Sequence, residues 1–421
     1  MRALVLNHYA GVPGYGRGLR HHQFATEWQA AGSEVVIACS NRHHLLFQPF
    51  SEKSGFYSAD GVNFFLVDTP AYIGNGIRRI LNMATFAWKS AFTHASELLD
   101  PKPDVVVASS PHPFAWLAAA RLARKAGCPL VVEVRDLWPA SLIELLGLSR
   151  FHPLVILFSF IEKWAYRRAD LVVSNLPYAD RYMQEIGVPP KKFAWVANGF
   201  GLGKPDESLV PHAHAELFER LNAQGKRIVV YAGAHGIPNA LEEVIVAAAR
   251  LQQRGEHNIA LVLIGDGDQK PGLVEKAKSF GLDNVHFLDH VDRPALLALL
   301  QRGHIGLATV RDSGLYRYGL SLNKLFEYMG AGMPVIYSAN CDYNPVADAD
   351  CGISVPAQDA EALASAMLSL AKLDDEALQN MARRGTAHVE DSYSYPKLAS
   401  KYMKLLEDAA TVSRKRGQVD A

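Results

Sequence analysis

Cysteine is scarce in this chain. Cys39, Cys128, Cys341 and Cys351 are the only four among 421 residues. None forms a CxxC pair, and their wide spacing resembles neither a zinc site nor a disulfide framework, so a reducing cytoplasm fits best. Excess charge of either sign is also missing. The 43 Lys and Arg balance the 43 Asp and Glu, which argues against the global basic field of a nucleic-acid-binding protein. Long apolar runs are lacking as well. The longest, PLVILFSFI at residues 153–161, is too short for a bilayer core of roughly 30 Å at about 1.5 Å per helical residue. The N-terminus, MRALVLNHYAG, runs straight into a strand pattern without the layout of a signal peptide.

What remains, 49% hydrophobic and 20% charged, is the make-up of an ordinary globular enzyme, long enough to need two cores. Short β-rich runs alternate with segments of helical periodicity. The first half holds RALVLN, EVVIAC, NFFLVD, DVVVAS, LVVEVR, LVVSN and FAWVAN; the second holds RIVVYAG, IALVLIG, VHFLD, IGLAT, PVIYS and GISV. Many lack apolar/polar alternation, as strands do when helices cover both faces of a sheet. The expected class is α/β, with two doubly wound Rossmann-like domains. The break falls in the Gly- and Pro-rich stretch 199–217. The expected division is a first domain at 1–200, a linker at 201–225 and a second domain at 226–390. Residues 391–421 read as an amphipathic helix returning to the first domain, with a stripe of Leu398, Tyr402, Leu405 and Leu406 and a frayed basic end at 414–416. Two such sheets would face across a cleft at their strand C-terminal ends, where ligands sit in open α/β sheets.

One segment, GLSLNKLFEYMGAGMPVI at 319–336, carries the most chemistry. It reads as a helix, a Gly-containing turn and an apolar strand. Ser321 is predicted to cap a helix whose free N–H groups lie at residues 322–324. Such a helix start attracts phosphate, and Lys324 adds a full charge there. Glu327 shares a face with Asn323 and Lys324. A capping box would need Glu or Gln at position 324, which is Lys. Glu327 is therefore either an acceptor for vicinal hydroxyls such as those of a ribose, or half of a Lys324–Glu327 surface pair worth a few tenths of a kcal/mol.

This segment resembles the signature of the retaining glycosyltransferases of family 4, which have the two-domain GT-B fold. NKLFEYMGAGMPVI is similar to the form found in enzymes that build O-antigen, capsule and colanic-acid repeat units. The resemblance implies that Glu327 binds the nucleotide ribose, and that Gly319, Ser321, Leu322, Asn323 and Lys324 surround the diphosphate and donor sugar. Two departures stand out. Gly319 occupies the place of a second family glutamate, and Leu322 stands where the subgroup usually has Pro. YAGAHGIPNALEEVIVAA at 231–248 resembles the start of the donor domain, which implies that Ala234, His235 and Gly236 line the cleft. The family's Arg and Lys are missing from this stretch, so compensating charge is expected from Lys324, Lys270 or Arg135. The region 283–300 resembles the one whose backbone meets the nucleobase, near His290 and Val291. Asp266-Gly267-Asp268 looks like a metal-binding DxD, but it stands in the GxG turn usual for the family. No metal and no cofactor are expected.

In the first domain, Gly14, Gly16 and Gly18 follow a strand and precede a helix, which suits close approach to a phosphate, although their spacing is not the dinucleotide GxGxxG. GRGLRHHQFATEW resembles the family's N-terminal loop and first helix. Arg17 and Arg20 are candidates to meet an acceptor phosphate, at least one of them being only a solvated helix charge. His112, Arg135 and Asp136 stand at strand C-terminal ends and join Lys324 and Glu327 as candidate catalytic residues. VANGF, with Asn198 and Gly199, resembles the inter-domain hinge turn. Residues 72–92, with Arg78, Arg79 and Lys89, form either an interfacial helix near anionic lipid or a helix packed on its own domain, with Ile80, Ala84, Ala87 and Ala91 on one face. The helix within 149–170 either touches the membrane through Trp164, Arg167 and Arg168 or, the reading favoured, buries a core face with those residues snorkelling.

The resemblance thus implies a cytoplasmic enzyme on the inner face of the cell membrane. It would move a sugar from a nucleoside-diphosphate donor, UDP-linked ahead of GDP-linked, to a polyprenyl-diphosphate-linked saccharide. Its partners would be the donor, the lipid-linked acceptor and the membrane surface, with no nucleic acid. Two alternatives stand beside it. A GT-B sugar-nucleotide epimerase would need acid/base carboxylates around the anomeric carbon, and a non-catalytic sugar-nucleotide-binding protein would show no turnover.

Overall fold

A computed structural model describes residues 1–419 other than Glu52, Asn75, Pro111 and Leu202. Asn75, Pro111 and Leu202 fall inside or next to segments singled out above, and with Glu52 and with Asp420 and Ala421 of the tail they lie outside the described residues. The chain divides into two compact units. One contains Met1–Gly199, Tyr318–Ser321 and the C-terminal segment from Tyr395; the other contains Phe200–Arg317 and Leu322–Ser394.

The first unit is built on eight strands: β1 (Arg2–Leu6), β2 (Glu34–Ser40), β3 (Gly55–Ala59), β4 (Val62–Val67), β5 (Val105–Ser109), β6 (Leu130–Val134), β7 (Leu171–Ser174) and β8 (Phe193–Trp195). Their order is β3-β4-β2-β1-β5-β6-β7-β8. All neighbours are parallel except β3 and β4. Strands β1, β5, β6 and β7 are buried at every residue, which explains their unbroken aliphatic runs. The C-terminal helix Tyr395–Val419 packs on the first helix, Arg20–Ala30. Trp28 Nε1 donates to Ala399 O at 2.9 Å, and Tyr402 meets the Phe24 and Trp28 rings edge-on at 5.5 and 5.3 Å. Residues 414–416, expected as a frayed end, are helical. The helix continues to Val419, and Arg414 reaches Asp104.

The second unit is a six-stranded parallel sheet: β9 (Arg227–Ala232), β10 (Ile259–Ile264), β11 (Val285–Leu288), β12 (Ile305–Thr309), β13 (Val335–Ser338) and β14 (Gly352–Val355), in the order β11-β10-β9-β12-β13-β14. Val229, Leu261, Leu307 and Ile336 form its core with the helices Leu241–Gln253 and Ala360–Ala371. The stretch expected as a linker, 201–225, is largely folded. Its helix His212–Ala223 buries His214, Leu217, Phe218 and Leu221, an i, i+3, i+4, i+7 face that the Gly and Pro residues upstream had masked. Both units are thus doubly wound, Rossmann-like α/β layers.

Candidate functional site

In the second unit the helix Asn323–Gly330 begins with Leu322, not Ser321, at its N-cap, and no side chain caps it. Ser321 lies one residue too early and packs with the first unit, where its carbonyl accepts from Asn198 Nδ2 at 3.3 Å. Its hydroxyl finds no protein partner. The N–H groups of Asn323 and Lys324 are therefore the ones that the helix leaves open. Tyr328, one turn on, fixes this start against the sheet, its hydroxyl accepting from Ala232 N at the end of β9 at 2.7 Å.

Lys324 points back over the same strand end. Its Nζ donates to Tyr231 Oη at 2.9 Å and to Asn239 Oδ1 at 2.8 Å, and lies 4.2 Å from the Tyr231 ring centre. Both acceptors are themselves oriented by one carbonyl. Tyr231 Oη and Asn239 Nδ2 donate to Ala234 O at 2.8 and 2.9 Å. Gly233, with φ of 151°, keeps the amine's path open, since a Cβ there would stand 3.0 Å from Nζ. Burial brings the Lys324 amine down to about 7, and Glu327 offsets part of that effect. Glu327 does not pair with Lys324 across the surface. It takes Arg293 Nε at 3.3 Å, and Arg293 Nη2 also donates to Gly201 O at 2.7 Å. Burial raises the Glu327 carboxyl, with Arg293 and Lys324 opposing.

Other expected donor-side residues separate into exposed and committed groups. Ala234 is exposed, but the His235 ring turns inward between Tyr231 and Phe287 and is fully buried. Burial lowers it to about 4, and neither ring nitrogen has a partner, so it is a neutral interior residue and not a lining one. Gly236 borders a cavity of about 230 Å³ with Ile237, Leu241, Gln269, Leu273 and Arg311, which neither Lys324 nor Glu327 lines. Lys270 cannot supply free compensating charge. Its Nζ is held by Asp289 Oδ1 at 2.6 Å, Asp266 Oδ1 at 3.0 Å and the carbonyls of Gly265 and Leu288 at 2.9 and 3.1 Å. Beyond β11, His290 is exposed and Val291 is buried.

In the first unit, His112 is fully buried, with Nε2 2.6 Å from His8 Nδ1. Burial lowers His112 to about 3 and carries His8 well below its usual value, so a neutral, buried imidazole pair stands at this strand end where a candidate catalytic histidine was expected. Arg20 is no solvated charge either. All five of its N–H donors are engaged: by Glu133 Oε1 at 3.2 Å twice, Val196 O at 2.8 Å, Ala197 O at 2.5 Å and Asn198 Oδ1 at 3.1 Å. His21 Nε2 donates to the other Glu133 oxygen at 2.8 Å, and Asn7 Nδ2 donates to His21 Nδ1 at 2.9 Å. Burial alone would raise the Glu133 carboxyl, but His21 and Arg20 hold it well below the usual range. This network ties the first helix to β6 and to the turn before Gly199, the last residue of the unit's first segment.

Arg17 is exposed with its guanidinium 5.6 Å from the Phe47 ring centre. Gly14 is exposed, whereas Gly16 pairs antiparallel with Leu46. At the end of β6 Arg135 is half-buried and Asp136 exposed. Gly319 has φ of 106°, and a Cβ on it would collide with the Pro177 ring. No side chain fits there without displacing Pro177.

Sequence reasoning missed Tyr231 on β9, Asn239 at the end of a 3-10 turn and Arg293 at a helix start, whose roles depend on partners far off in sequence, and nothing local marks them. Glu133 did carry a signal, a lone acid inside the buried run LVVEV.

The chain matches the glycosyl transferase 4-like domain over residues 16–199 and the glycosyl transferases group 1 model over residues 226–372. It is a GT-B glycosyltransferase and belongs to family 4. A putative colanic acid biosynthesis glycosyl transferase of Escherichia coli (strain K12) is 24% identical over 288 residues, covering 66% of this chain and 69% of the relative. Sucrose-phosphate synthase from Thermosynechococcus elongatus matches with a TM-score of 0.73 at 18% identity, covering 98% of this chain and 99% of that one. The Anabaena protein HepE, solved in complex with UDP and glucose, matches with a TM-score of 0.65 at 15% identity, covering 97% and 100%.

Proposed function

We propose that this protein transfers a sugar from a nucleoside-diphosphate donor, UDP-linked ahead of GDP-linked, to a lipid-linked saccharide at the inner face of the cell membrane. The observation that carries this reading is the Lys324 amine, held by Tyr231 and Asn239 beside two open helix N–H groups and one turn from Glu327. A cation and aligned N–H groups at a helix start suit a diphosphate whose charge grows as the sugar departs. Lys324 would exchange Tyr231 or Asn239 for a phosphate oxygen. Glu327, steadied by Arg293, would accept from the ribose hydroxyls.

No metal is invoked. Asp266, the first acid of the DxD-like turn, is paired with Lys270, so charge compensation falls to Lys324 and the helix start. Transfer would retain configuration by a front-face route. The bond from the anomeric carbon to the diphosphate breaks, the bond to the acceptor oxygen forms on the same face, and the acceptor proton passes to the leaving phosphate. Glu327 is tied to Arg293, which does not suit a carboxylate nucleophile. The colanic-acid relative supports a surface-polysaccharide product, and the UDP-bound neighbour supports a uridine donor.

The test is incubation with a panel of UDP- and GDP-sugars, with and without a polyprenyl-diphosphate-linked acceptor, following free nucleotide and the anomeric form of the product. Acceptor-dependent release of UDP with a retained linkage is expected. Interconversion of the donor without acceptor would instead mark an epimerase, and binding without turnover would remove the enzyme reading.

A further inference from the structure

Three neighbouring helices of the first unit turn apolar side chains outward. The helix Phe114–Ala126 packs against both Ile77–Trp88 and Pro153–Arg168, so the three form one layer. The first of them, extended by a π-turn at Lys89–Thr93, buries Asn82, Met83 and Phe86. On its outer side Ile77, Leu81, Trp88 and Phe92 follow one another at helical spacing, with Ile77 77% and Trp88 63% exposed. The helix Pro153–Arg168 has the expected core face but carries further apolar residues outside it. It buries Val155, Phe158 and Ile161 but exposes Ile156, Leu157 and Phe160, the last by 70%. On the middle helix Leu117 is exposed, and Arg121 lies 4.2 Å from the Phe92 ring centre, which joins the layer's outer surface. Single exposed apolar residues need no explanation, but a contiguous set does.

Charge decides what the set fits. The three helices and the π-turn carry nine Lys and Arg and one acid. That acid, Glu162, is buried and accepts from Tyr166 and Tyr182 at 3.0 and 3.2 Å. In a chain of zero net charge this is a strong local excess, and Arg78, Arg124, Lys125 and Arg167 are exposed. Among the described residues no helix is long and apolar enough to cross a membrane.

We propose that this layer docks the protein on an anionic bilayer. Exposed rings and aliphatic side chains enter the acyl boundary, and the Lys and Arg around them meet lipid phosphates. The surface follows from exposure and charge alone; only its purpose, reaching a lipid-linked acceptor, rests on the proposed function.

The experiment is co-sedimentation of the full-length protein, without nucleotide, with vesicles of phosphatidylcholine alone and of phosphatidylcholine mixed equally with phosphatidylglycerol. Binding is expected only to the anionic vesicles, weakening at high salt. A blue shift of tryptophan emission should accompany it and shrink in Trp88→Phe. The double variant Trp88→Ser/Phe160→Ser should lose vesicle binding about tenfold or more. Its melting temperature and its UDP affinity by calorimetry should stay unchanged, because both side chains are exposed and neither lies in the second unit. Failure of the wild-type protein to bind anionic vesicles would overturn the surface while leaving the nucleotide site standing. Unchanged vesicle binding by the double variant would do the same, as would concentration-dependent dimers abolished by Phe160→Ser in a protein that ignores vesicles.

Discussion

A half-buried lysine with an amine brought down to about 7, against an ordinary 10.5, loses its proton readily when nothing anionic faces it. Between those values the unfolded chain holds the proton and the folded chain releases it, so this group's contribution to stability grows as pH rises from about 7 toward 10.5. An incoming diphosphate reverses the preference by favouring the charged amine. UDP affinity should therefore fall as pH rises above about 7, by up to roughly tenfold per unit. Lys324→Met should abolish that slope, weaken UDP by about tenfold or more, and leave the unliganded protein no less stable. Calorimetric titrations across pH, with thermal melts alongside, read all three effects. Gly319 makes a second residue-level case. Gly319→Glu, which restores the family's acid, should cost about 1–3 kcal/mol in urea denaturation because the backbone is left-handed and Pro177 occupies the space. A variant as stable as the wild type would show that Pro177 yields.

At the level of elements, Glu133 on β6 joins a strand to a helix through two basic partners. Glu133→Gln leaves the Arg20 guanidinium buried beside a neutral amide, and should cost about 3–5 kcal/mol in equilibrium unfolding. A loss under 1 kcal/mol would mean that water or a shifted Arg20 replaces the pairing. Which elements were legible in the sequence follows from the same physics. All thirteen apolar runs read as strands are strands; two-sided burial imposes that composition directly on the central ones, while the edge strands β8, β11 and β14 are only partly buried. The one overlooked, β3, is an edge strand whose sequence GFYSA alternates in burial. The Asp60-Gly61 turn that pairs it with β4, both residues at positive φ, was its readable signal. At the candidate site the helix carrying Lys324 and Glu327 was legible from spacing. Its cap was displaced by one residue because Ser321 is held by Asn198. Where each charge finds its partner was not legible. Lys270, Arg20 and Glu327 look equally free in sequence, and only long-range neighbours commit them to Asp289, Glu133 and Arg293.

The whole molecule is two α/β units joined by a chain that enters the second after Gly199, contributes Tyr318–Ser321 to the first, and rejoins it at Tyr395. The final helix belongs to the core of the unit that it rejoins, since Trp28, Phe24 and Tyr402 bury one another. Ending the chain after Ser394 should therefore expose an aromatic face and drive aggregation or loss of the first thermal transition, even though no residue of the second sheet is removed. A truncated protein that melts like the wild type would show that this helix is dispensable. The proposed division of labour assigns the nucleotide to the second unit and the lipid surface to the first, with Lys324 and Glu327 as the pair on which donor binding turns. Calorimetric titration of UDP into the wild-type protein and into Glu327→Ala tests that assignment most directly. Binding by the wild type and a loss of about tenfold, or 1.4 kcal/mol, in the variant is the expected result. Equal affinity in the two proteins would contradict it.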